Sequence, residues 1–573
     1  MRINKSVSTV MFAVLVTACT EHVEQQSIDV GETHQPAPAR DEIQQLNTPD
    51  PTLSAVQRPS PKAKLAGRAQ GYAAADMAME SSTMAMITPY QPQYVDRENY
   101  LHYDENGVKV VREVPISTFS IDVDTAGYAN VRRMLVKEGR LPPADAVRLE
   151  EMINYFGYSY PIPTSTEQPF SVSTELAPAP WSDKHHLLQV GLKGFEPSLT
   201  KRPPGNLVFL IDVSGSMRAP DKLGLLKKSL QLMVNKMGAE DRIALVVYAG
   251  AAGTVLESTS GAEKAKIMNA INALEAGGST HGSAGIEMAY ALASQNLIEG
   301  GINRVIIASD GDMNVGTVNI EALKDLITRK RKSGIALTTL GFGSGNYNYA
   351  LMEQLADVGN GNAAYIDSLK EAQKVLVNEM QSTLLTIASD VKIQVEFNPA
   401  VVSEYRLIGY ENRLLNKEDF SNDKVDAGEI GAGHTVTALY EIVLTGGEGE
   451  RMPSLRYTHN EKTQEQQDTR FDEEIAFVKL RYKQPGQSSS TEIGQAVHRD
   501  RVSESIINSS DDLRFAASVA GFGQILKGGK FTADWGYSDA LTLARNSRGD
   551  DPHGYRSEFI HLIELAQSLS STP

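Results

Sequence analysis

The chain has 573 residues, 41% hydrophobic and 22% charged, with a formal net charge of −16 and a single cysteine. That length and apolar content suit several folded domains, roughly three at ordinary domain sizes. The acidic balance excludes nucleic acid as a partner, because no net basic field is present to neutralise phosphates, and a lone cysteine excludes a disulfide within the chain.

In chain order, residues 1–18 read as a signal peptide. Arg2 and Lys5 precede an apolar run, Val7–Val16, and small residues lead to Cys19. The run is too short for a membrane-spanning helix. Val16-Thr17-Ala18-Cys19 resembles a bacterial lipobox, which implies that Cys19 is the lipidated first mature residue. With Cys19 acylated, no thiol remains for thiolate chemistry or thiolate metal binding. Thr20 follows where an Asp would favour inner-membrane retention, so the expected location is the cell envelope, lipid-anchored to the outer membrane and facing the periplasm. Residues 19–94, rich in Gln, Pro, Ala, Ser and Met, read as a disordered tether with a reach of roughly 50 Å. The Met-rich piece Met77–Met86 is read as part of it.

Residues 95–185 form a separate block: a strand over Ser117–Asp124, then helices over Tyr128–Glu138 and Ala144–Phe156. Asp122-x-Asp124-x-x-Gly127 starts like a calcium loop but fails the spacing, with Ala126 and Arg133 where ligands belong. These carboxylates are expected to cap the helix at Tyr128.

From 186 to 388, strands alternate with helices. The expected strands are Leu207–Ile211, Ile243–Tyr248, Val305–Ala308, Ala336–Leu340 and Ala363–Ile366. The expected helices are Lys222–Lys236, Ala262–Leu274, Gly285–Ala293, Ile320–Lys332, Tyr349–Ala356 and Leu369–Leu384. That alternation predicts an α/β fold with a doubly wound, mostly parallel sheet. The first strand runs into Asp212-Val213-Ser214-Gly215-Ser216, so one carboxylate and two hydroxyls emerge at a strand's carboxyl end, where ligands bind in such sheets. Thr280 lies in the glycine-rich loop Gly277–Gly282, and Asp310 ends the strand Asn303–Ser309. Oxygen donors of this kind suit a hard divalent cation, Mg²⁺, Mn²⁺ or Ca²⁺. Asp312 and Asn314 read as loop formers, and Arg329–Lys332 as a solvated helix face.

The order D-x-S-x-S, then Thr in a glycine-rich loop, then Asp-Gly after a strand, resembles the von Willebrand factor A domain and its metal-ion-dependent adhesion site. The resemblance implies a metal held by Asp212, Ser214, Ser216, Thr280 and Asp310, with one coordination position open. It also implies a protein partner that supplies an acidic side chain to that position.

From about Asp390 the pattern changes. Asp390–Phe397, Tyr405–Tyr410, His434–Leu444 and Glu474–Tyr482 read as strands of an antiparallel sheet or sandwich. Helices are expected over Glu492–Asn508, Leu513–Leu526, Asp539–Arg545 and His553–Leu569, so residues 389–573 form a β-rich, then helical, domain. The whole layout resembles a bacterial lipoprotein family in which a von Willebrand A domain is flanked by its own N-terminal and C-terminal domains. Ser117–Asn130, Leu141–Phe156, the site motifs and Asp390–Arg413 carry that resemblance.

No catalytic constellation emerges. Gly341–Asn346 lacks the last glycine of a dinucleotide loop, there is no G-x-S-x-G or H-E-x-x-H, and His185, His186 and His281 stand isolated. The expected function is a membrane-anchored, metal-dependent binding protein. A metal-dependent hydrolase of envelope substrates and a metal-stabilised scaffold remain the alternatives.

Overall fold

The computed structural model describes residues 98–571, apart from 122–123, 166, 197–202, 279–282, 312–319, 380–384, 426, 454–470 and 472. Cys19, the tether with Met77–Met86, Asp122, Thr280, His281, Asp312 and Asn314 therefore lie outside the described residues. No helix among those described is long and apolar enough to cross a membrane.

The apolar run after Pro204 forms the strand Gly205–Asp212, buried along its whole length. It lies in a six-stranded sheet in the order Ala363–Ile366, Ala336–Phe342, Ile302–Ser309, Gly205–Asp212, Arg242–Tyr248, Ala252–Ser260. All pairings are parallel except the last, which is antiparallel. Alternate side chains of the central strand serve opposite faces, as the pleat requires. Leu207, Phe209 and Ile211 pack with the helices Leu225–Lys236 and Lys264–Asn272. Val208 and Leu210 pack with Ser283–Gln295, Ile320–Lys332 and Tyr349–Val358. A strand covered on both faces needs apolar residues at every position, which is why it reads as an unbroken run.

Two antiparallel sheets flank this unit. One runs Lys109–Val110, Val402–Ile408, Thr435–Leu444, Ser182–Gly194, Phe170–Ala179. In the other, Ile116–Ser120, Thr386–Phe397, Glu474–Lys483 and Thr491–His498 pair in turn, and Gly428–Gly431 pairs with the start of Thr386–Phe397. Phe119, Phe170, Leu192, Val395, Tyr440 and Tyr482 share one core, so the two sheets form a sandwich. The helices Leu149–Asn154, Asp511–Leu526, Tyr537–Asn546 and Tyr555–Ser570 bury a further core against Trp181, Leu187 and Leu439 on the sandwich.

Three expectations are corrected. Residues 492–498, expected as the start of the helix Glu492–Asn508, lie in the strand Thr491–His498, paired with Glu474–Lys483. Ile493, Ala496 and Val497 imitate helical spacing, but ladder hydrogen bonds to a neighbouring strand override so short a pattern. The boundary expected between 185 and 186 falls inside Ser182–Gly194, and Ile116–Ser120 pairs with Thr386–Phe397. Residues 95–185 and the C-terminal stretch thus build the same sheets. Asp124 does not cap the helix Ala126–Arg133; the N-cap residue Thr125 makes no side-chain cap hydrogen bond, and the Gly127 N–H of the first turn donates to Glu151. The Asp124 carboxylate accepts the Ala363 N–H at 2.7 Å and faces Arg413 at 3.5 Å, holding the edge strand of the parallel sheet.

Candidate metal centre

Asp212 ends the central strand, and Ser309-Asp310 ends and follows its parallel neighbour. The chain leaves the central strand toward Arg242–Tyr248 on one side and later returns to Ile302–Ser309 on the other. The crevice outside the carboxyl ends at such a reversal is where doubly wound sheets bind ligands. Asp212 and Asp310 both lie there, each 0% exposed.

Local hydrogen bonds set the shape of the first loop. The Ser214 N–H donates to Asp212 Oδ1 at 2.8 Å, which turns the backbone sharply after the strand. The Ser214 and Ser216 hydroxyls then converge at 2.9 Å. Asp212 Oδ2 accepts from Ser309 Oγ at 3.1 Å and from the Tyr248 hydroxyl at 3.3 Å. Burial pushes the Asp212 carboxyl above its ordinary range. The donors from Ser214 and Ser309 pull it down, and the negative charge of Asp310 pushes it up again.

The second loop is tied to the first by backbone. Gly277 N–H donates to Val213 O at 2.7 Å and Gly215 N–H to Gly278 O at 3.1 Å. The stretch that leads to Thr280 is thereby held against the Ser214–Ser216 turn. After Asp310, Gly311 has φ +85°, and a Cβ there would lie 2.4 Å from Asn348 N, so only glycine lets the chain turn away at this point.

Lys222 also enters the crevice. The helix expected from Lys222 begins at Leu225, and Lys222 sits on the preceding turn with φ −110° and ψ −106°. Its ammonium reaches Asp310 Oδ2 at 2.8 Å and Asn346 Oδ1 at 3.2 Å. Its stem crosses Gly343, where a Cβ would meet Lys222 Cε, Cγ and Cδ at 2.3–2.8 Å. Sequence reading placed Lys222 at the start of an amphipathic helix and had no local signal for this inward course.

Of the five expected ligands, the structure brings Asp212, Ser214, Ser216 and Asp310 to one crevice; Thr280 lies outside the described residues. Among the described residues no cluster of three His, Cys, Asp or Glu side chains forms a ligand set. The crevice instead combines two buried carboxylates with two paired hydroxyls, a hard-oxygen set that fits a divalent ion. Ser309, Tyr248, Lys222 and Asn346 are neighbours that sequence reading missed. His185 is not part of the site: its Nδ1 faces Glu441 at 2.6 Å and its Nε2 faces Gly449 O at 2.9 Å, within the flanking sandwich.

Comparison with known proteins agrees with this architecture. Residues 206–379 match the family model for the von Willebrand factor type A domain, and residues 94–189 match one described as von Willebrand factor. Residues 382–569 match one described as the C-terminal part of the uncharacterized protein YfbK. The uncharacterized protein YfbK of Escherichia coli (strain K12) is 44% identical over 524 residues, which cover 90% of this chain and 88% of that one. Inter-alpha-trypsin inhibitor heavy chain H3 of Homo sapiens is 26% identical over 261 residues, 42% of this chain and 28% of that protein. Among solved structures, a von Willebrand factor type A protein from Catenulispora acidiphila aligns with 69% of this chain and 89% of its own, at 15% identity and a TM-score of 0.38.

Proposed function

The chain belongs to the family of the Escherichia coli protein YfbK, and from that premise and the crevice at Asp212 we propose that it is an envelope lipoprotein that captures a protein partner through a divalent metal. Its von Willebrand factor type A domain suggests a role in protein interaction. None of the relatives named above carries the name of an enzyme, and the reading is of a binding protein.

The observation that carries the proposal is the pair of wholly buried carboxylates, Asp212 and Asp310, beside the converging hydroxyls of Ser214 and Ser216. Two like charges out of water call for cations; Lys222 supplies one to Asp310, and a divalent ion would meet both carboxylates at once. Asp212, Ser214, Ser216 and Asp310 would hold a Mg²⁺ or Mn²⁺ ion, with Thr280 as the fifth donor from its loop. When bound, such an ion offers an open coordination position to an incoming carboxylate. Three of the donors are neutral hydroxyls, so with Asp212 and Asp310 acting through water the ion would stay electrophilic and an acidic side chain of the partner would complete its shell. With a chain charge of −16 there is no long-range attraction for such a partner, so recognition acts at contact distance. A lipid on Cys19 would keep the binding face near the periplasmic side of the outer membrane.

Titration calorimetry with Mg²⁺ and Mn²⁺ tests this directly. The wild type should bind about one ion per chain, and Asp212→Ala should bind none while keeping its fold. A wild type that takes up no ion, or a folded Asp212→Ala protein that binds as well as the wild type, would remove the metal from the proposal. A partner found by metal-dependent capture should lose affinity when its contacting carboxylate is neutralised.

A further inference from the structure

The contact between Lys222 and Asp310 goes beyond the adhesion-site reading. A lysine ammonium is a compact point charge with three donors, and here it is placed with care. The side chain is only 11% exposed, and its Nζ lies 2.8 Å from an oxygen of a carboxylate that is 0% exposed. Asn346 Oδ1 accepts a second hydrogen bond from the ammonium at 3.2 Å. Gly343, with φ +74°, leaves a slot that the methylene stem fills and any other residue would block. The backbone of Lys222 itself departs from helical geometry, on the turn between Ser216 and the helix Leu225–Lys236. A solvated surface lysine needs none of these arrangements.

We propose that Lys222 is a tethered cation that competes with the divalent metal for Asp310, so that metal capture requires the ammonium to let go of that carboxylate. This rests on the metal-site reading above and adds a residue to it. A lysine held on the same domain competes at an effective concentration that dilution cannot change. It sets a threshold: the site takes up an ion only where the ion's binding energy exceeds the ion pair it displaces. The same pairing gives the buried Asp310 charge a partner, which a low-dielectric crevice demands.

Two measurements on the whole chain test it. The first is Mn²⁺ calorimetry on the wild type, Lys222→Met and Asp212→Ala; methionine keeps an apolar stem over Gly343 and removes the charge. Lys222→Met should bind Mn²⁺ about tenfold or more tightly than the wild type, because the competitor is gone. Equal or weaker binding in Lys222→Met, with binding abolished in Asp212→Ala, would overturn the competition and leave the metal site standing. No binding in any of the three would overturn both readings. The second measurement needs no variant and decides the matter if Lys222→Met does not fold. Brief treatment of the wild type with an amine-reactive reagent, followed by peptide mass spectrometry, should show Lys222 modified faster in saturating Mn²⁺ than in chelator. The same rate in both conditions would overturn the proposal.

Discussion

Asp212 is a charged group with no exposed surface, and its three neighbours make that tolerable: the Ser214 N–H, the Ser309 hydroxyl and the Tyr248 hydroxyl all donate to it. A hydrogen bond to a buried carboxylate is worth more than a neutral one. Ser309→Ala should therefore lower stability by about 2 kcal/mol in urea unfolding; an unchanged midpoint would mean that Tyr248 and Ser214 hold the carboxylate without it. At this scale the four strand-end residues Asp212, Ser214, Ser216 and Asp310 were legible in the sequence and their supports were not. Asp212, Ser214 and Ser216 follow one apolar run, and Asp310 follows another, so their place at strand ends is a local property. Ser309, Tyr248, Lys222 and Asn346 approach from four separate stretches, and only the sheet order brings them together.

Elements show the same division. The strand Ala363–Ile366 and the helix Ile320–Lys332 lie where periodicity puts them. The hairpin of Phe170–Ala179 with Ser182–Gly194 was not anticipated, and all but the first residue of the strand Thr491–His498 was expected to be helical. In each case antiparallel pairing with the adjacent strand across a short connection decides the outcome, and pairing energy is not written in the window of one strand. Long-range ties also join the helices. Arg132, on the helix Ala126–Arg133, reaches Asp367 at 2.5 Å, Glu371 at 2.8 Å and Glu558 at 2.7 Å, and donates to the Tyr155 hydroxyl. One guanidinium thus holds an N-terminal helix, the end of the parallel-sheet unit and the last helix of the chain. Arg132→Ala should cost about 3–5 kcal/mol, because it leaves buried carboxylates without their partner. Arg132→Lys should recover little of that, since a single ammonium cannot serve three carboxylates in a planar fork. Chemical unfolding of both variants checks this; a lysine variant as stable as the wild type would show that charge alone suffices.

Across the whole molecule, a second set of carboxylates lies where the N-terminal stretch meets the parallel-sheet unit. Glu151 accepts the Gly127 N–H at 2.7 Å and a hydrogen bond from the Tyr349 hydroxyl. Glu150, Glu353, Asp357, Arg148 and Arg413 share this region. Burial, with the charge of Glu353 adding, pushes the Glu151 carboxyl from its ordinary 4.5 to about 7, against the opposing pull of Arg148. A group that holds its proton more tightly when folded contributes stability below its unfolded value, and that contribution is lost as pH rises through the folded value. For Glu151 the window runs from about pH 4.5 to about pH 7. Wild-type stability should fall from about pH 4.5 to about pH 7 more steeply than that of Glu151→Gln, which has no proton to lose. Parallel slopes in urea unfolding at both ends of that range would show that the carboxyl does not titrate there.

Residues adjacent in the chain were enough to read the alternation of strands and helices from Leu207 to Ile366, apart from the unexpected antiparallel strand Ala252–Ser260, and the strand-end position of Asp212, Ser214, Ser216 and Asp310. These are set by neighbours along the chain: a run of apolar residues that must be covered on both faces, and turn formers that end it. The tertiary structure decided that the N-terminal and C-terminal stretches build shared sheets, that Thr491–His498 is a strand, and that Lys222 holds Asp310. Those outcomes depend on which segments pair, near or far along the chain, and on which charges become buried together. Strand register and desolvation exist only once the chain has closed on itself.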